Sequence, residues 1–131
     1  MKISISNIAW DVDKDEEIVD LLHEKEISYI DIAPAKYFPA PFLPDEKSIK
    51  NVRDWWSSRG IEIYGMQALL YGTSGLNIFS APEVQRAMVE HLKKIFRIAE
   101  CLGIRRLVFG SPSNRDIGSL DKTAAFAIGV E

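Results

Sequence analysis

Strand, loop and helix follow one another three times along this chain and begin a fourth time, in the order that builds a parallel sheet with helical crossovers. Lys2–Asn7 (KISISN) alternates strictly, with Ile3 and Ile5 on one face and Ser4 and Ser6 on the other, which predicts a strand. Asp13 or Asp15 is the expected cap of the helix behind it, in which Ile18, Leu21 and Leu22 recur at helical spacing. Ser28–Ile32 is the second expected strand, and a helix from Ser48 to Ser58 ends at Gly60. Ile61–Met66 is the third strand. Pro82 opens a helix whose apolar stripe (Val84, Met88, Leu92, Ile95, Ala99, Leu102) runs up to Gly103. Arg105–Phe109 is the fourth strand, and Ala124–Glu131 (AAFAIGVE) starts a helix with no capping glycine, basic last turn or proline after it. A (β/α)8 TIM barrel needs about 250 residues. The expectation is therefore an α/β chain, residues 1–131, that forms one partial domain: the first half of such a barrel, with four parallel βα units, the last incomplete.

A doubly wound sheet of the flavodoxin type competes at this length, but its strands are covered on both faces and read as continuous apolar runs. Here Ser4 and Ser6, Asp31, and Glu62 with Tyr64 hold one parity, while Ile3 and Ile5, Ile30 and Ile32, and Ile61 and Ile63 hold the other. One apolar face against helices and one polar face towards a shared interior fit a barrel lumen. No glycine-rich phosphate fingerprint follows the first strand, where SNIAWDVD stands, which argues against a dinucleotide site. The connections leaving the C-terminal ends of the strands are the long ones: Ala33–Lys47, Gln67–Ala81 and Gly110–Leu120. Ligands of parallel α/β folds bind at that end. Tolerated surface insertions are the alternative account of such loops.

Charge narrows the partners. Sixteen basic and nineteen acidic residues give a net of −3 with the signs interspersed, which is no footprint for nucleic acid or an anionic membrane, so a small soluble ligand is expected. The single Cys101 excludes an internal disulfide and fits a reducing compartment, and it is expected to pack and not to react. No apolar run approaches the ~20 residues of a membrane span and the N-terminus enters a strand directly, so a cytoplasmic location is the expectation.

Three segments, Ser6–Asp11 (SNIAWD), Ser28–Phe38 (SYIDIAPAKYF) and Phe109–Ile117 (FGSPSNRDI), stand in order at strand ends. Together they resemble the N-terminal half of sugar phosphate isomerase/epimerase proteins of the xylose isomerase-like TIM-barrel superfamily. That resemblance implies an eight-stranded barrel and proton transfer next to a sugar carbonyl, assisted by a divalent metal (Mn, Mg, Co or Zn). It also implies that metal ligands and the paired catalytic glutamates come from later strands, so no catalytic or metal-ligating residue is assigned to this chain. The superfamily's usual Glu at the end of the second strand is Asp31 here, one methylene shorter. Met66 and Gln67 stand where the third strand often ends in His.

Substrate contacts are expected from Asn7, Trp10, Asp31, Tyr37, Gln67, Asn114 and Arg115. Asp31, on the lumen parity, can accept from a sugar hydroxyl or form an ion pair with Arg115. Asn7 can bind a polyol or cap the loop into the first helix. Arg115 offers a planar fork to phosphate or carboxylate, against a salt bridge to Asp116 or Asp31. Ser111, Ser113 and Asn114 add hydroxyl and amide groups, and are ordinary turn formers too. Trp10, Tyr37, Phe38 and Phe42 are read as an aromatic rim, equally a hydrophobic loop cluster, stiffened by Pro34, Pro39, Pro41 and Pro44. Gly72 and Gly75 in Tyr71–Asn77 suit a lid. His23 and His91 lie in mid-helix and are poor ligands or bases, and of the adjacent Trp55 and Trp56 only one should pack fully inward.

The expected function is the substrate-binding half of a divalent-metal-dependent sugar or sugar-phosphate isomerase/epimerase, completed by a C-terminal half or by self-association. The alternatives are an apurinic endonuclease of the same fold, against which the balanced charge argues, and a non-catalytic small-molecule-binding or scaffold domain.

Overall fold

The structure, a computed structural model, describes residues 2–39 and 44–130. The expectations for Pro41 and Phe42 lie outside these residues. The protein is mixed α/β: the described residues form a three-stranded parallel sheet in the order β1-β2-β3, with five α-helices and three short 3-10 turns.

β1 is only Ile5–Ser6, shorter than the alternation predicts. Its ladder stops because Asn7 enters a 3-10 turn (Asn7–Ala9), where its side chain replaces the next backbone rung: Oδ1 accepts from Ala33 N at 2.7 Å. Ser6 Oγ caps that turn, accepting from Ile8 N at 3.2 Å. A second 3-10 turn, Val12–Lys14, leads into α1 (Asp15–Glu24). Neither Asp13 nor Asp15 caps this helix: the cap position is Lys14, and Asp15 is its buried first residue. The carboxylate is drawn inward by two side-chain donors described below.

Beyond the C-cap of α1, Lys25, Glu26 adopts a left-handed backbone (φ 54) while Ile27 N donates to Leu22 O at 2.8 Å. Glycine is the residue suited to this position, because a Cβ there is sterically opposed. Glu26→Gly is accordingly expected to stabilise the fold by about 0.5–1 kcal/mol. Urea denaturation checks this, and a loss of stability would show that Glu26 makes a contact worth more than the strain.

β2 (Tyr29–Ile32) lies at the centre of the sheet, pairing Ile5↔Ile30 and Ser6↔Asp31 with β1. The loop after it contains a short helix, α2 (Pro34–Tyr37), that the sequence reading treats as loop. Proline at its first position was the available signal. α3 (Glu46–Ser57) starts two residues earlier than expected because Asp45 Oδ1 accepts from Ser48 N at 2.7 Å. β3 (Glu62–Met66) pairs with β2, with an irregularity between Ile30 and Asp31 that skips Tyr64. α4 (Pro82–Leu102) opens on its proline and closes on Gly103 at φ 74, as its pattern predicts.

The fourth strand is reduced to one parallel bridge, Met66↔Leu107, with Met66 N donating to Arg106 O and Val108 N to Met66 O, both at 2.8 Å. Gly110 and Pro112 follow, and neither sustains a ladder. A 3-10 turn, Pro112–Arg115, leads to α5 (Lys122–Val130). α5 begins two residues before its expected start because Asp121 Oδ1 accepts from Thr123 N and Ala124 N.

One core joins the layers. Val19 and Leu22 of α1, Ile49 and Trp56 of α3, and Ile95, Ile98, Ala99 and Leu102 of α4 pack with Ile30, Ile32, Ile61 and Met66 of the sheet region. Ile30 and Ile32 share one parity and are fully covered, so the helices lie on that face. Trp56 is fully buried and Trp55 half-buried, with the Arg59 guanidinium 3.8 Å over the Trp55 ring; adjacent helical positions cannot both face inward. Cys101 is a free thiol, half-buried against the core. No described helix is long and apolar enough to cross a membrane.

Candidate functional site at the strand ends

The uncovered face of the sheet carries Ser6, Asp31 and Gly65 in one cross-strand row, because register pairs Ser6 with Asp31 and Asp31 with Gly65. Gly65 makes space for its neighbour: a Cβ at that position would stand 2.4 Å from Asp31 Oδ1 and 3.2 Å from Arg106 O. Among the described residues Asp31 has no hydrogen-bond donor and no counter-ion, and it is only half-buried. The expected Asp31–Arg115 pair is not made. Tyr64, skipped by the ladder, meets Tyr29 edge-on at 5.3 Å and lies under the Arg106 guanidinium at 4.0 Å.

Gln67 leaves the end of β3 and crosses to β1, donating from Nε2 to Ser6 Oγ at 2.6 Å. Ala68 follows in a left-handed backbone (φ 51), uncommon for a residue with a side chain, and turns the chain away from the sheet. Beyond it the two long loops form a cleft of about 850 Å³, lined by residues 67–68, 70–77, 108 and 110–114 together with Ile8.

Amides join these two walls. Asn77 Nδ2 donates to Ser113 O at 3.2 Å and to Asp116 O at 2.9 Å, and Ile78 N donates to Asn114 O at 3.0 Å. Asn114 Nδ2 donates to Leu76 O, and Ser111 Oγ donates to Asn114 Oδ1. The segment read as a lid is thus tied at its C-terminal end, while Gly72 (φ 79) and Gly75 (φ 71) make the turns between.

The structure divides the expected site residues into three groups. Gln67 and Asn114 line the cleft, and Asp31 lies on the polar sheet face with Gln67's partner Ser6. Arg115 is exposed beside the cleft and does not line it; its Nε donates to Ser111 O at 3.4 Å and its guanidinium is 6.0 Å from the Phe109 ring. It forms no salt bridge to Asp116 or Asp31 among the described residues.

Asn7, Trp10 and Tyr37 lie away from the cleft, in a separate part-buried network. Trp10 Nε1 donates to Asp15 Oδ1 at 2.7 Å, the Tyr37 hydroxyl donates to Asp15 Oδ2 at 2.8 Å, and Trp56 Nε1 donates to the Tyr37 oxygen at 3.0 Å. Trp10 meets Trp56 edge-on at 6.5 Å, and Phe38 is buried in the core. Lys36 Nζ closes the cluster, donating to Asn7 O at 3.0 Å and to Trp10 O. Burial pushes the Asp15 carboxyl above its ordinary range, against the hydrogen bonds from Trp10 and Tyr37. Burial, and then the charge and hydrogen bond of Asp15, hold the Tyr37 phenol well above its ordinary value. The sequence names Asp15 only as a cap and does not single out Lys36, because the partners of both come from other elements.

Both histidines bond to backbone: His23 Nε2 meets Arg59 O at 2.8 Å and His91 Nε2 meets Leu69 O at 2.9 Å. Among the described residues no three His, Cys, Asp or Glu side chains converge on a point that would hold a metal ion. Comparison with family models, curated proteins and solved structures finds no match to this chain.

Proposed function

We propose that this chain is the carbohydrate-binding, N-terminal half of a (β/α)8 barrel resembling the xylose isomerase-like superfamily, and serves a divalent-metal-dependent sugar isomerase/epimerase. The observation that carries the proposal is the strand order. Three parallel strands and the bridge at Leu107 follow one another in sequence order, with the helices on one face and Ser6, Asp31 and Gln67 on the other. A doubly wound sheet reverses its order at a switch point, whereas a barrel winds in one direction.

In this role Asp31 accepts from a sugar hydroxyl, because its carboxylate has no competing donor. Gln67 presents an amide at the floor of the cleft, and the loop hydroxyls and amides complete the wall. The described residues do not form a metal site by themselves, so no step is assigned through a metal here. Metal and acid/base groups belong to the remainder of the barrel or to a second copy.

The test is a turnover assay on the protein as isolated from its own cells, supplied with aldoses, ketoses and Mn²⁺, Mg²⁺, Co²⁺ or Zn²⁺. Asp31→Asn is expected to lower kcat/KM by roughly tenfold or more with an unchanged Tm. Absence of exchange of the proton beside the carbonyl for every sugar would overturn the proposal, as would kinetics untouched by both Asp31→Asn and Gln67→Ala.

A further inference from the structure

The large apolar side chains that stand exposed gather at the two ends of the strand order. Ile3, Ile8, Val12 and Leu21 belong to the first βα unit. Val89, Phe96, Val108, Phe126 and Val130 belong to α4 and to the unit that follows it, Phe126 being 72 % exposed and Val108 58 %. Among the described residues from Leu22 to Met88, only Tyr71 is exposed in this way. Leu21 lies on the side of α1 away from Glu16 and His23, which bond to Arg59 just past α3, so it points off the first flank of the layer. On the last flank a groove of about 400 Å³ runs between Phe96 and Gly103 at the end of α4 and Leu107 of the fourth-strand segment.

Charge separates the two flanks. From Asp11 to Glu24 the chain carries seven carboxylates and one lysine, and from Lys93 to Lys122 it carries seven lysines and arginines against three carboxylates. We infer that two copies of this chain close on one another about a two-fold axis along the strands, the first flank of each covering the last flank of the other. The inference deepens the proposed function by naming the partner, and rests on its barrel reading. Apolar surface concentrated in this way marks a docking face. Pairing like flanks would set carboxylates against carboxylates, whereas opposite flanks attract. Among the described residues β1 pairs only with β2 and the Leu107 segment only with β3, so each presents an open edge. One two-fold axis joins both edges in the parallel sense, and makes each contact twice. The partner's sheet then supplies the wall facing Ser6, Asp31 and Gln67.

The experiment is sedimentation velocity on the full chain, with cross-linking between flanks. A species of twice the 14.8 kDa of one chain is expected. Phe126→Glu and Val108→Asp change exposed side chains, and each is expected to weaken the dimer at least about tenfold with an unchanged circular dichroism spectrum. In a Cys101→Ser background, a bismaleimide should join a Leu21→Cys chain to a Phe126→Cys chain far more than either to itself. A monomer at every soluble concentration, a dimer that neither substitution weakens, or cross-links between like flanks would each overturn the inference. A monomer that still exchanges the proton beside a sugar carbonyl would overturn it and leave the proposed function standing. A cross-linked dimer that exchanges no such proton for any sugar would confirm the pairing and remove the isomerase reading.

Discussion

Trp56→Ala is expected to remove about 3–5 kcal/mol of stability, the range for truncating a buried large aromatic. Trp56 has no exposed surface and sits where α3 meets the core, edge-on to Trp10 at 6.5 Å and to Trp55 at 4.8 Å. Its indole N–H also donates to the Tyr37 oxygen at 3.0 Å, so truncation opens a void and loses a hydrogen bond together. Domains of this kind have total stabilities of about 5–15 kcal/mol. The variant should therefore lie near or past the edge of folding at 37 °C. Trp56→Phe separates the two contributions: it keeps most of the apolar volume and forfeits the donor, with an expected cost of about 1–3 kcal/mol. Urea titration followed by far-UV circular dichroism measures both. A loss below about 1 kcal/mol for Trp56→Ala would place Trp56 outside the core.

The second large effect is expected at Asp15. Asp15→Ala strips the acceptor from two part-buried donors, Trp10 Nε1 and the Tyr37 hydroxyl, and should cost about 1–3 kcal/mol. Its pH signature is distinctive. The folded-state pKa of Asp15 is raised above its ordinary 3.8, so the folded chain holds the proton more tightly than the unfolded one. Stability is then fullest below that ordinary value, falls as pH rises through the raised folded value, and is flat above it. Most carboxylates bias stability the other way. Tyr37 repeats the pattern at alkaline pH: its phenol is raised from 10, and stability should fall as pH climbs beyond that value. Asp15→Asn should erase the acid segment of the stability profile and Tyr37→Phe the alkaline one. Denaturation midpoints measured from pH 3 to 11 check both, and profiles identical to wild type would show that neither group titrates differently on folding.

Much of the fold could be read from the chain because its signals are local. Period-two alternation located β2 and β3 to within a residue, and Pro82 with Gly103 bounded α4 because an N-terminal proline and a left-handed glycine act on their own backbone. The errors arose where a distant group intervened. β1 stops at Ser6 because the Asn7 side chain bonds to Ala33, 26 residues away. Asp15 leaves its expected capping role because Trp10 and Tyr37 both donate to it. Of the expected site, Gln67 and Asn114 do meet at one cleft, as their positions after β3 and after the fourth-strand segment suggest. Trp10 and Tyr37 read equally as rim and as loop cluster, because an aromatic with a polar tip suits a sugar and suits an internal hydrogen-bond network equally well. Composition alone does not separate the two.

Both N–H groups of the Asn77 amide are spent on carbonyls of the opposite loop, Ser113 and Asp116, and Asn114 reaches back to Leu76. Residues 67–81 and 110–120 therefore constitute a single structural unit. Transplanting either loop alone into another scaffold would leave its half of these bonds dangling, and only the pair moved together would carry the shape of the cleft with it.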